Sequence, residues 1–255
     1  MYIINDSYFY FDTMNNIKKS QPDFSLLNNE VHLHYVFIVN ERPSVYLKLL
    51  SDAEMERANK YRIEKERDRF IISRGLLRKL IGQYVSMNPK EIIFDYGVNG
   101  KPFLKNNDVQ FNMAHAEDAV LFGFTRHFDI GVDLEYLDRQ VNFLKMSSFI
   151  FSSNELEVFN NQPKEDKKEA FINCWTRKEA FLKAKGAGLT FPIDQLEVSF
   201  VKNEKAELRA TKWALNEKEQ WSLESFTLAE NFRIAVAVNG KVNSIKIFPI
   251  GNKDI

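Results

Sequence analysis

Two long helical stretches, each followed by a run of short β-rich segments, constrain the fold of this chain more than any other feature. The segment 31–39, VHLHYVFIV, alternates in polarity and is rich in β-formers, which predicts a strand. The S-x-x-E pattern at 51–54 is a capping box and predicts the start of a helix that runs to about Tyr84, with a break near Arg62. Short strands separated by turns are expected over 91–135.

The order of a helical stretch followed by β-rich segments is then repeated in the second part of the chain. A helix is predicted to begin at a cap formed by Ser152 and Ser153, and a longer one spans roughly 165–185 and ends at Gly186, a residue suited to the left-handed position after a helix. The tail is rich in β-formers. Its two β-rich runs flank Asn239-Gly240, a strong local signal for a hairpin.

This order predicts an α+β fold built from two similar half-domains, each a helix packed on a small antiparallel sheet. A boundary near residue 128 gives an N-terminal half of 1–128 and a C-terminal half of 129–255. Residues 1–30 are polar and mixed, and we expect them to form loop or edge structure.

The composition excludes several functional classes. Lys and Arg total 35, as do Asp and Glu, so the net charge of zero gives no general attraction to nucleic acid or an anionic membrane. Cys174 is the single cysteine, which excludes an internal disulfide and agrees with a reducing cytoplasm. The N-terminus does not have the pattern of a signal peptide, and no stretch approaches the roughly 18 apolar residues of a membrane span.

The predicted strand at 129–135, DIGVDLE, is the first candidate for chemistry. Asp133 and Glu135 are two residues apart and therefore point to one face of the strand, together with Gly131. Two carboxylates at this spacing can converge on a hard cation such as Mg²⁺, and the glycine would leave room for a ligand. The alternative is that the pair only forms the solvent-exposed face of a half-buried sheet.

The helix around FINCWTRKEAFLKAKGAGL (171–189) carries charges on its apolar face. Phe171, Trp175, Glu179 and Lys183 lie on one i, i+4 row, so a row that begins aromatic ends in an acid and an amine. A carboxylate turned toward the body of a protein needs a partner or a metal, which makes Glu179 a candidate third ligand. Alternatively, Glu179 and Lys183 form a surface ion pair.

At these residues the chain resembles the 4'-phosphopantetheinyl transferases of the surfactin-synthetase-activating type. The resemblance covers about residues 50–200. Its ordered motifs are GKP (100–102), FNMAHA (111–116), GVDLE (131–135), FSSNE (151–155) and CWTRKEAFLKAKGAGL (174–189).

The resemblance implies a Mg²⁺-dependent enzyme that transfers the 4'-phosphopantetheine group of coenzyme A to a serine of an acyl or peptidyl carrier protein. It implies two half-domains related by a pseudo-twofold axis, with the active site in the cleft between them. We expect a cytoplasmic monomer that binds neither nucleic acid nor membrane. The implied metal ligands are Asp133, Glu135 and Glu179.

The implied catalytic residues are Glu179 and Lys183. The implied contacts to coenzyme A are Lys178 at the phosphate end, His115 against the phosphates, Lys101 and Pro102 at the adenine, and the basic residues Arg69 and Arg57. Two alternatives are a non-catalytic module that binds coenzyme A or a carrier, and a metal-dependent phosphodiesterase.

Some positions depart from the family pattern or have a structural interpretation. Ala114 replaces a frequent hydroxyl residue, and Glu54 stands where some members place a lysine for the 3'-phosphate, so both affect the expected affinity for coenzyme A. We interpret Glu155 as a helix cap and Trp175 as a core residue. Without the motif, His115 would also be interpreted as a core residue. The pair His32 and His34 has no evident third ligand and is interpreted as structural.

Overall fold

The computed structural model of the protein describes residues 9–12, 17–18, 24–188 and 191–250. The strands within these ranges are β1 (Phe9–Asp12), β2 (Ile17–Lys18), β3 (Glu30–Phe37), β4 (Asp95–Tyr96), β5 (Pro102–Phe103), β6 (Val109–Ala116), β7 (Ala119–Arg126), β8 (Ile130–Tyr136), β9 (Leu196–Val198), β10 (Leu208–Thr211), β11 (Ser222–Leu228), β12 (Phe232–Val238) and β13 (Ser244–Pro249). The α-helices there are α1 (Pro43–Leu47), α2 (Asp52–Asn59), α3 (Glu64–Val85), α4 (Phe143–Ile150), α5 (Ser153–Asn160) and α6 (Lys167–Lys185).

The first half packs α3 on a sheet whose described strands follow the order β2-β1-β13-β3-β7-β6. Neighbours are antiparallel except for β13 and β3, which run parallel. The core between helix and sheet contains Leu76 and Leu80 of α3 with Phe122 and Phe124 of β7. A long amphipathic helix thus buries its apolar stripe on one face of the sheet.

The second half packs α6 on an antiparallel sheet whose described strands follow the order β11-β12-β8. Its core includes Phe171 and Phe181 of α6 and Ala235 and Ala237 of β12. The two small side chains of β12 leave room for the aromatic rings of the helix. The predicted α+β class, with one long helix on a sheet in each half, is confirmed.

A third apolar core joins the halves. It contains Leu33 and Leu121 from the first sheet and Val132 and Ile234 from the second. The seam is also held by a polar contact, because the backbone N–H of Val132 donates to the Oδ1 atom of Asn112 at 3.0 Å. The two sheets therefore meet directly, and the junction between the halves is a packed interior.

The helix starts and stops follow the predicted signals. Both capping boxes form, with Ser51 and Glu54 at the start of α2 and Ser152 and Glu155 at the start of α5. The chain breaks between Asn59 and Glu64, around the predicted position. The C-cap glycine of α6, Gly186, adopts φ +62°, the left-handed conformation that favours glycine.

The predicted hairpin at Asn239-Gly240 is wrong. Strand β12 pairs with β11 and β8, whereas β13 lies in the first sheet between β1 and β3. The chain does turn at Gly240, but the Ser222 hydroxyl binds both the Gly240 carbonyl and the Val242 N–H and directs the chain away from β12. Strand β13, although it lies in the range 129–255, consequently belongs to the sheet of the first half.

Two further expectations concern the N-terminal region and membranes. Strand β2 is an edge strand of the first sheet, with β1 between it and β13, as expected for a region that forms loop or edge structure. The other residues of 1–23 lie outside the described ranges, as does Leu189, the last residue of the helix motif. Among the described helices, none combines the length and apolar character that a bilayer crossing requires.

Candidate active site

The inner face of β8 presents Gly131, Asp133 and Glu135 to helix α6. A Cβ atom on Gly131 would lie 2.1 Å from the carbonyl oxygen of Ala180 and 2.3 Å from the amide nitrogen of Ala184. Only glycine allows this close approach of strand and helix. The reason for the glycine is therefore helix packing, and the expectation that it leaves room for a ligand is corrected.

The i, i+4 row of α6 faces the carboxylates of β8, as its spacing predicts. The indole N–H of Trp175 donates to Glu135 Oε1 at 2.8 Å. The ammonium of Lys183 donates to Asp133 Oδ1 at 2.5 Å. Glu179 lies one turn from each of these helix residues, is half-buried and makes no hydrogen bond to the described residues. Trp175 is thus partly a core residue and partly a donor to the cluster.

The three carboxylates form one electrostatic unit. Burial raises the pKa of Asp133 to about 7; the charge of Lys183 opposes this rise, and the charges of Glu135 and Glu179 add to it. Burial also raises the pKa of Glu179, with Lys183 opposing and Glu135 adding to the shift. Like charges held close together in a desolvated place favour binding of a cation.

The donor set fits a hard divalent cation, although no coordination sphere is preformed. Among the described side chains, no three His, Cys, Asp or Glu groups stand in the arrangement of metal ligands. However, the Oδ2 atom of Asp133 is buried and accepts no hydrogen bond there, while the Lys183 ammonium already occupies the position of a cation at Oδ1. Carboxylate oxygens are the ligands that Mg²⁺ prefers.

His115 and Arg69 are residues of the first half that lie in the electrostatic neighbourhood of this cluster. His115 lies near the end of β6 with its side chain exposed, and Arg69 of α3 pairs with Glu66 at 3.2 Å. Partial burial lowers the pKa of His115, and the charges of Arg69 and Lys183 lower it further, while Glu66 opposes the shift. Two predicted contacts from the first half thus share one electrostatic neighbourhood with Lys183 from the second.

The turn that carries Lys101 is hydrogen-bonded to the end of α6. The Lys101 ammonium donates to the carbonyls of Ile130 at 3.0 Å and Ala184 at 2.8 Å, and burial lowers its pKa. Pro102 is half-buried at the start of β5. Lys101 therefore bridges the two halves, and this contact was not foreseen from the sequence.

Arg57 lies apart from the carboxylates, at a cavity of about 210 Å³ whose lining includes Arg57, Glu54, Phe70, Arg74 and Tyr96. The guanidinium of Arg57 is exposed and stacks over the ring of Phe70 at 5.1 Å. Neither β8 nor α6 contributes to the lining.

The departure at Glu54 has a structural explanation. Glu54 is buried, caps α2 and accepts from Arg78 Nε at 2.7 Å, with Arg74 Nε at 3.5 Å. Arg74, which sequence reasoning missed, is buried and keeps Nε and Nη1 without hydrogen bonds among the described residues. Its signal in the sequence is a basic residue within the apolar run FIISRGLL. Arg74 therefore adds a buried positive charge to the lining of the cavity, next to Glu54.

Lys178 requires a correction. Its ammonium is fully buried and donates to the carbonyls of Ile150 and Ile193 and to Glu155 Oε2. A lysine has three N–H donors, and all three are used inside the protein. Lys178 is therefore not placed to contact a phosphate of coenzyme A, and Glu155 is a helix cap, as interpreted, that also forms this buried pair.

The remaining positions follow their structural interpretation. His32 and His34 are buried and both bind the Tyr84 hydroxyl, at 2.8 Å and 2.7 Å. Ala114 is buried in the core between the sheets, facing away from the exposed His115. A second cavity, of about 910 Å³, lies between β10 and β11, and no predicted site residue lines it.

Comparison with protein families gives two matches that together span both halves. The family described as "4'-phosphopantetheinyl transferase superfamily" matches residues 129–237. The family described as "4'-phosphopantetheinyl transferase, N-terminal" matches residues 40–124.

Individual relatives agree with these matches. The chain is 32% identical over 227 residues to the 4'-phosphopantetheinyl transferase HetI of Nostoc sp., covering 86% of this chain and 92% of that protein. It is 33% identical to the putative 4'-phosphopantetheinyl transferase slr0495 of Synechocystis sp., covering 61% of this chain and 65% of that protein. The 4'-phosphopantetheinyl transferase Sfp of Bacillus subtilis is 26% identical, covering 62% and 69%.

Two solved structures of similar proteins each cover less than half of this chain. A holo-(acyl-carrier-protein) synthase of Bacillus anthracis in complex with coenzyme A (3',5'-ADP) has a TM-score of 0.36 and 24% identity, covering 43% of this chain and 93% of that one. A holo-[acyl-carrier-protein] synthase of Thermotoga maritima has a TM-score of 0.36 and 23% identity, covering 44% and 63%.

Proposed function

Because this chain belongs to the 4'-phosphopantetheinyl transferase superfamily, we propose that it transfers the 4'-phosphopantetheine group of coenzyme A to a serine of an acyl or peptidyl carrier protein. The released product is 3',5'-ADP. The observation that carries the proposal is the desolvated cluster of Asp133, Glu135 and Glu179 with Lys183 at the contact of β8 and α6. A protein that only binds coenzyme A has no need of three electrostatically coupled acids.

The residues Asp133, Glu135 and Glu179 would hold a Mg²⁺ ion. When bound, this ion supplies positive charge that offsets the charge of the coenzyme A pyrophosphate. The unsatisfied Oδ2 atom of Asp133 supports this assignment, because a buried carboxylate oxygen without a donor is costly unless a cation is bound.

The chain's own groups then provide the acid–base and electrostatic steps. The serine Oγ of the carrier forms a bond to the β-phosphorus while the bond from this phosphorus to the bridging oxygen breaks and 3',5'-ADP leaves. Glu179, which lies half-buried beside Asp133 and Glu135, accepts the serine proton. Lys183, partly exposed beside Asp133, stabilises the charge on the leaving phosphate.

Coenzyme A would lie along the junction of the halves. His115 and Arg69 are positioned from the first half toward Lys183, which supports contacts to the phosphates. We propose that Lys101 and Pro102, which share one turn, line the adenine site. We propose that Arg57 also contacts coenzyme A, at the cavity to which Arg74 adds a second positive charge. These groups replace the basic residue that the family pattern places at Glu54.

We propose that the protein acts as a cytoplasmic monomer. A monomer is supported because both halves, joined by the shared core, come from one chain. A reducing compartment is supported by the single cysteine, Cys174, which is buried and unpaired. The absence of net charge argues against nucleic acid or an anionic membrane as a partner.

The proposal is tested by incubating the protein with apo acyl and peptidyl carrier proteins, coenzyme A and Mg²⁺, followed by intact-protein mass spectrometry. One carrier should gain the mass of one phosphopantetheine group, and removal of divalent cations with a chelator should prevent it. Coenzyme A cleavage without any carrier would instead indicate a phosphodiesterase. Binding of coenzyme A without release of 3',5'-ADP would indicate a binding module.

A further inference from the structure

We propose that Lys178 and Glu155 form a positioning pair that sets the rotation of α6 about its axis and so aims Glu179 and Lys183 at β8. The inference rests on the proposed function, and it gives Lys178 a role different from the coenzyme A contact implied by the family resemblance. Neither residue touches the substrate. Their contribution is to the geometry of the groups that do.

The Lys178 ammonium forms hydrogen bonds to three separate parts of the chain that surround α6. It donates at 2.7 Å to the carbonyl of Ile150 at the end of α4, at 2.5 Å to Oε2 of Glu155 in α5, and at 3.1 Å to the carbonyl of Ile193. The side chain has no exposed surface. A buried ammonium whose every donor is used can occupy only one position.

Glu155 closes the same network from the other side. Its Oε2 accepts the backbone N–H of Ser152 at 2.8 Å, and its Oε1 accepts the backbone N–H of Val198 in β9, also at 2.8 Å. The Cys174 thiol of α6 donates to Oε1 at 3.8 Å. One carboxylate therefore joins α5, α6 and β9, and both of its oxygens have donors.

The geometry of a helix connects this network to the reacting groups. Successive residues of an α-helix are turned by about 100°, so Lys178 and the adjacent Glu179 point to different neighbours. Lys178 points to α4, α5 and the carbonyl of Ile193, while Lys183, on the row of Glu179, contacts Asp133 of β8. One rotation of α6 satisfies both sets of contacts.

A small rotation of α6 about its axis would strongly lower the rate of transfer. A side chain tip lies about 5 to 6 Å from the axis of an α-helix, so a turn of about 20° displaces the Glu179 carboxylate by about 2 Å. A misplacement of about 1 Å in a reacting group can cost about a hundredfold in rate. The buried pair is thus positioned to affect turnover strongly without contacting coenzyme A.

The first test removes the pair as a unit with Lys178→Met and Glu155→Gln together, because a single change would leave one buried charge unpaired. The matched control is Lys246→Met with Glu30→Gln, which removes an ion pair of 2.7 Å between half-buried Lys246 of β13 and buried Glu30 of β3 in the first sheet. For each folded protein, the affinity for coenzyme A is measured by calorimetry, and kcat and KM by transfer to a carrier.

The double variant at 178 and 155 should lose at least tenfold in kcat, while its dissociation constant for coenzyme A stays within threefold of wild type. The control should keep wild-type kcat. A wild-type kcat in the double variant would overturn the proposal in favour of a purely stabilising pair. A tenfold loss of coenzyme A affinity would overturn it in favour of a direct contact.

A second measurement needs no variant and no activity. The wild-type protein is treated with an amine-acetylating reagent, with and without coenzyme A, and the modified lysines are identified by peptide mass spectrometry. Lys178 should stay unmodified in both samples, whereas Lys183, whose side chain is 31% exposed, should react without coenzyme A. Modification of Lys178 that coenzyme A prevents would overturn the proposal even if the double variant does not fold. If the wild-type protein transferred nothing to any carrier, the proposed function would be refuted. The labelling of Lys178 does not depend on transfer, so its result can be judged separately from the proposed function.

Discussion

Asp133 combines three properties that are rarely found in one carboxylate. Its side chain is buried, one oxygen is paired with Lys183, and the other oxygen has no donor among the described residues. Burial of a polar atom without a hydrogen bond costs about 1–3 kcal/mol in proteins. The site therefore retains a local instability that binding of a cation would relieve.

Replacement of Asp133 by asparagine should abolish transfer without unfolding the protein. The amide keeps the volume of the side chain but removes the charge that pairs with Lys183, and it is a poor ligand for Mg²⁺. We expect a loss of at least about a hundredfold in kcat/KM, about 2.7 kcal/mol of transition-state stabilisation. The carrier's mass gain reports the rate, and circular dichroism reports the fold.

Asp138→Asn is the control for this change, because Asp138 follows β8 closely but is exposed and pairs with Lys168 on the surface. It should retain the wild-type rate. Full activity of the Asp133 variant would exclude Asp133 from the metal site.

Glu30 gives a prediction about acid stability. Burial alone would raise its pKa, but hydrogen bonds from His32 and Lys246 outweigh burial and lower the pKa from 4.5 to about 2. A carboxylate with a lowered pKa stabilises the fold above its ordinary pKa, and this stabilisation is lost as the pH falls toward 2. The shift corresponds to about 3 kcal/mol at neutral pH.

The Glu30→Gln variant should therefore differ from wild type most at pH 7 and least in acid. Urea unfolding at pH 7 and pH 3 measures this, and the difference in free energy of unfolding should be about 2 kcal/mol smaller at pH 3. An exposed residue of α2, Glu56, supplies the control Glu56→Gln, for which no such change is expected. A difference that is equal at both pH values would contradict the proposed ionisation of Glu30.

At the scale of elements, the contact of β8 with α6 generates the site. The strand supplies two carboxylates two residues apart on one face, and the helix supplies Trp175, Glu179 and Lys183 by their i, i+4 spacing. The two patterns meet only because Gly131 lets the backbones approach closely. The position of one glycine thus controls the geometry of several charged groups.

Gly131→Ala should push the helix away from the strand. The new methyl group would lie 2.1 Å from the Ala180 carbonyl oxygen, which belongs to the backbone and cannot rotate away. Overpacking of this kind lowers the free energy of unfolding by about 1–3 kcal/mol. We also expect the folded molecules of the variant to transfer more slowly than those of the wild type. Thermal unfolding and the rate per folded molecule measure the two effects.

The matched substitution is Gly97→Ala, where the nearest atom to a new Cβ is the Lys101 carbonyl oxygen at 3.7 Å. This ordinary contact distance should leave the melting temperature nearly unchanged. Equal melting temperatures for the two variants would contradict the packing role of Gly131.

Local periodicity explains why the carboxylate strand, the i, i+4 row and both capping boxes were predicted correctly from sequence. The misassigned parts depend on distant partners. The hairpin signal at Asn239-Gly240 reports a turn but not that β13 pairs with β1 and β3. Likewise, the motif that contains Lys178 does not reveal that Ile150, Glu155 and Ile193 surround its ammonium.

At the scale of the whole molecule, the two halves are interlocked. Strand β13 is the last of the described strands but lies inside the first sheet, parallel to β3 and antiparallel to β1. The sheets also share an apolar core, which includes Leu33 and Val132. The site residues come from both halves, so the arrangement of His115 and Arg69 relative to Lys183 depends on this interlocking.

The interlocking predicts how the chain behaves when it is divided at residue 128. The fragment 1–128 lacks β13, so β1 and β3 lose their shared neighbour and expose unpaired edges, and the fragment should not fold alone. Coexpression with 129–255 should restore a complex, because that fragment supplies β13 together with the second face of the shared core. Coexpression with 129–243 should not, since it supplies the core face but not the strand. Copurification with a tag on 1–128 measures assembly, and carrier modification by each mixture measures whether His115, Arg69 and Lys183 are again brought together. If 129–243 assembled as well as 129–255, the shared core alone would hold the halves together, and β13 would contribute only an edge that the first sheet can lose.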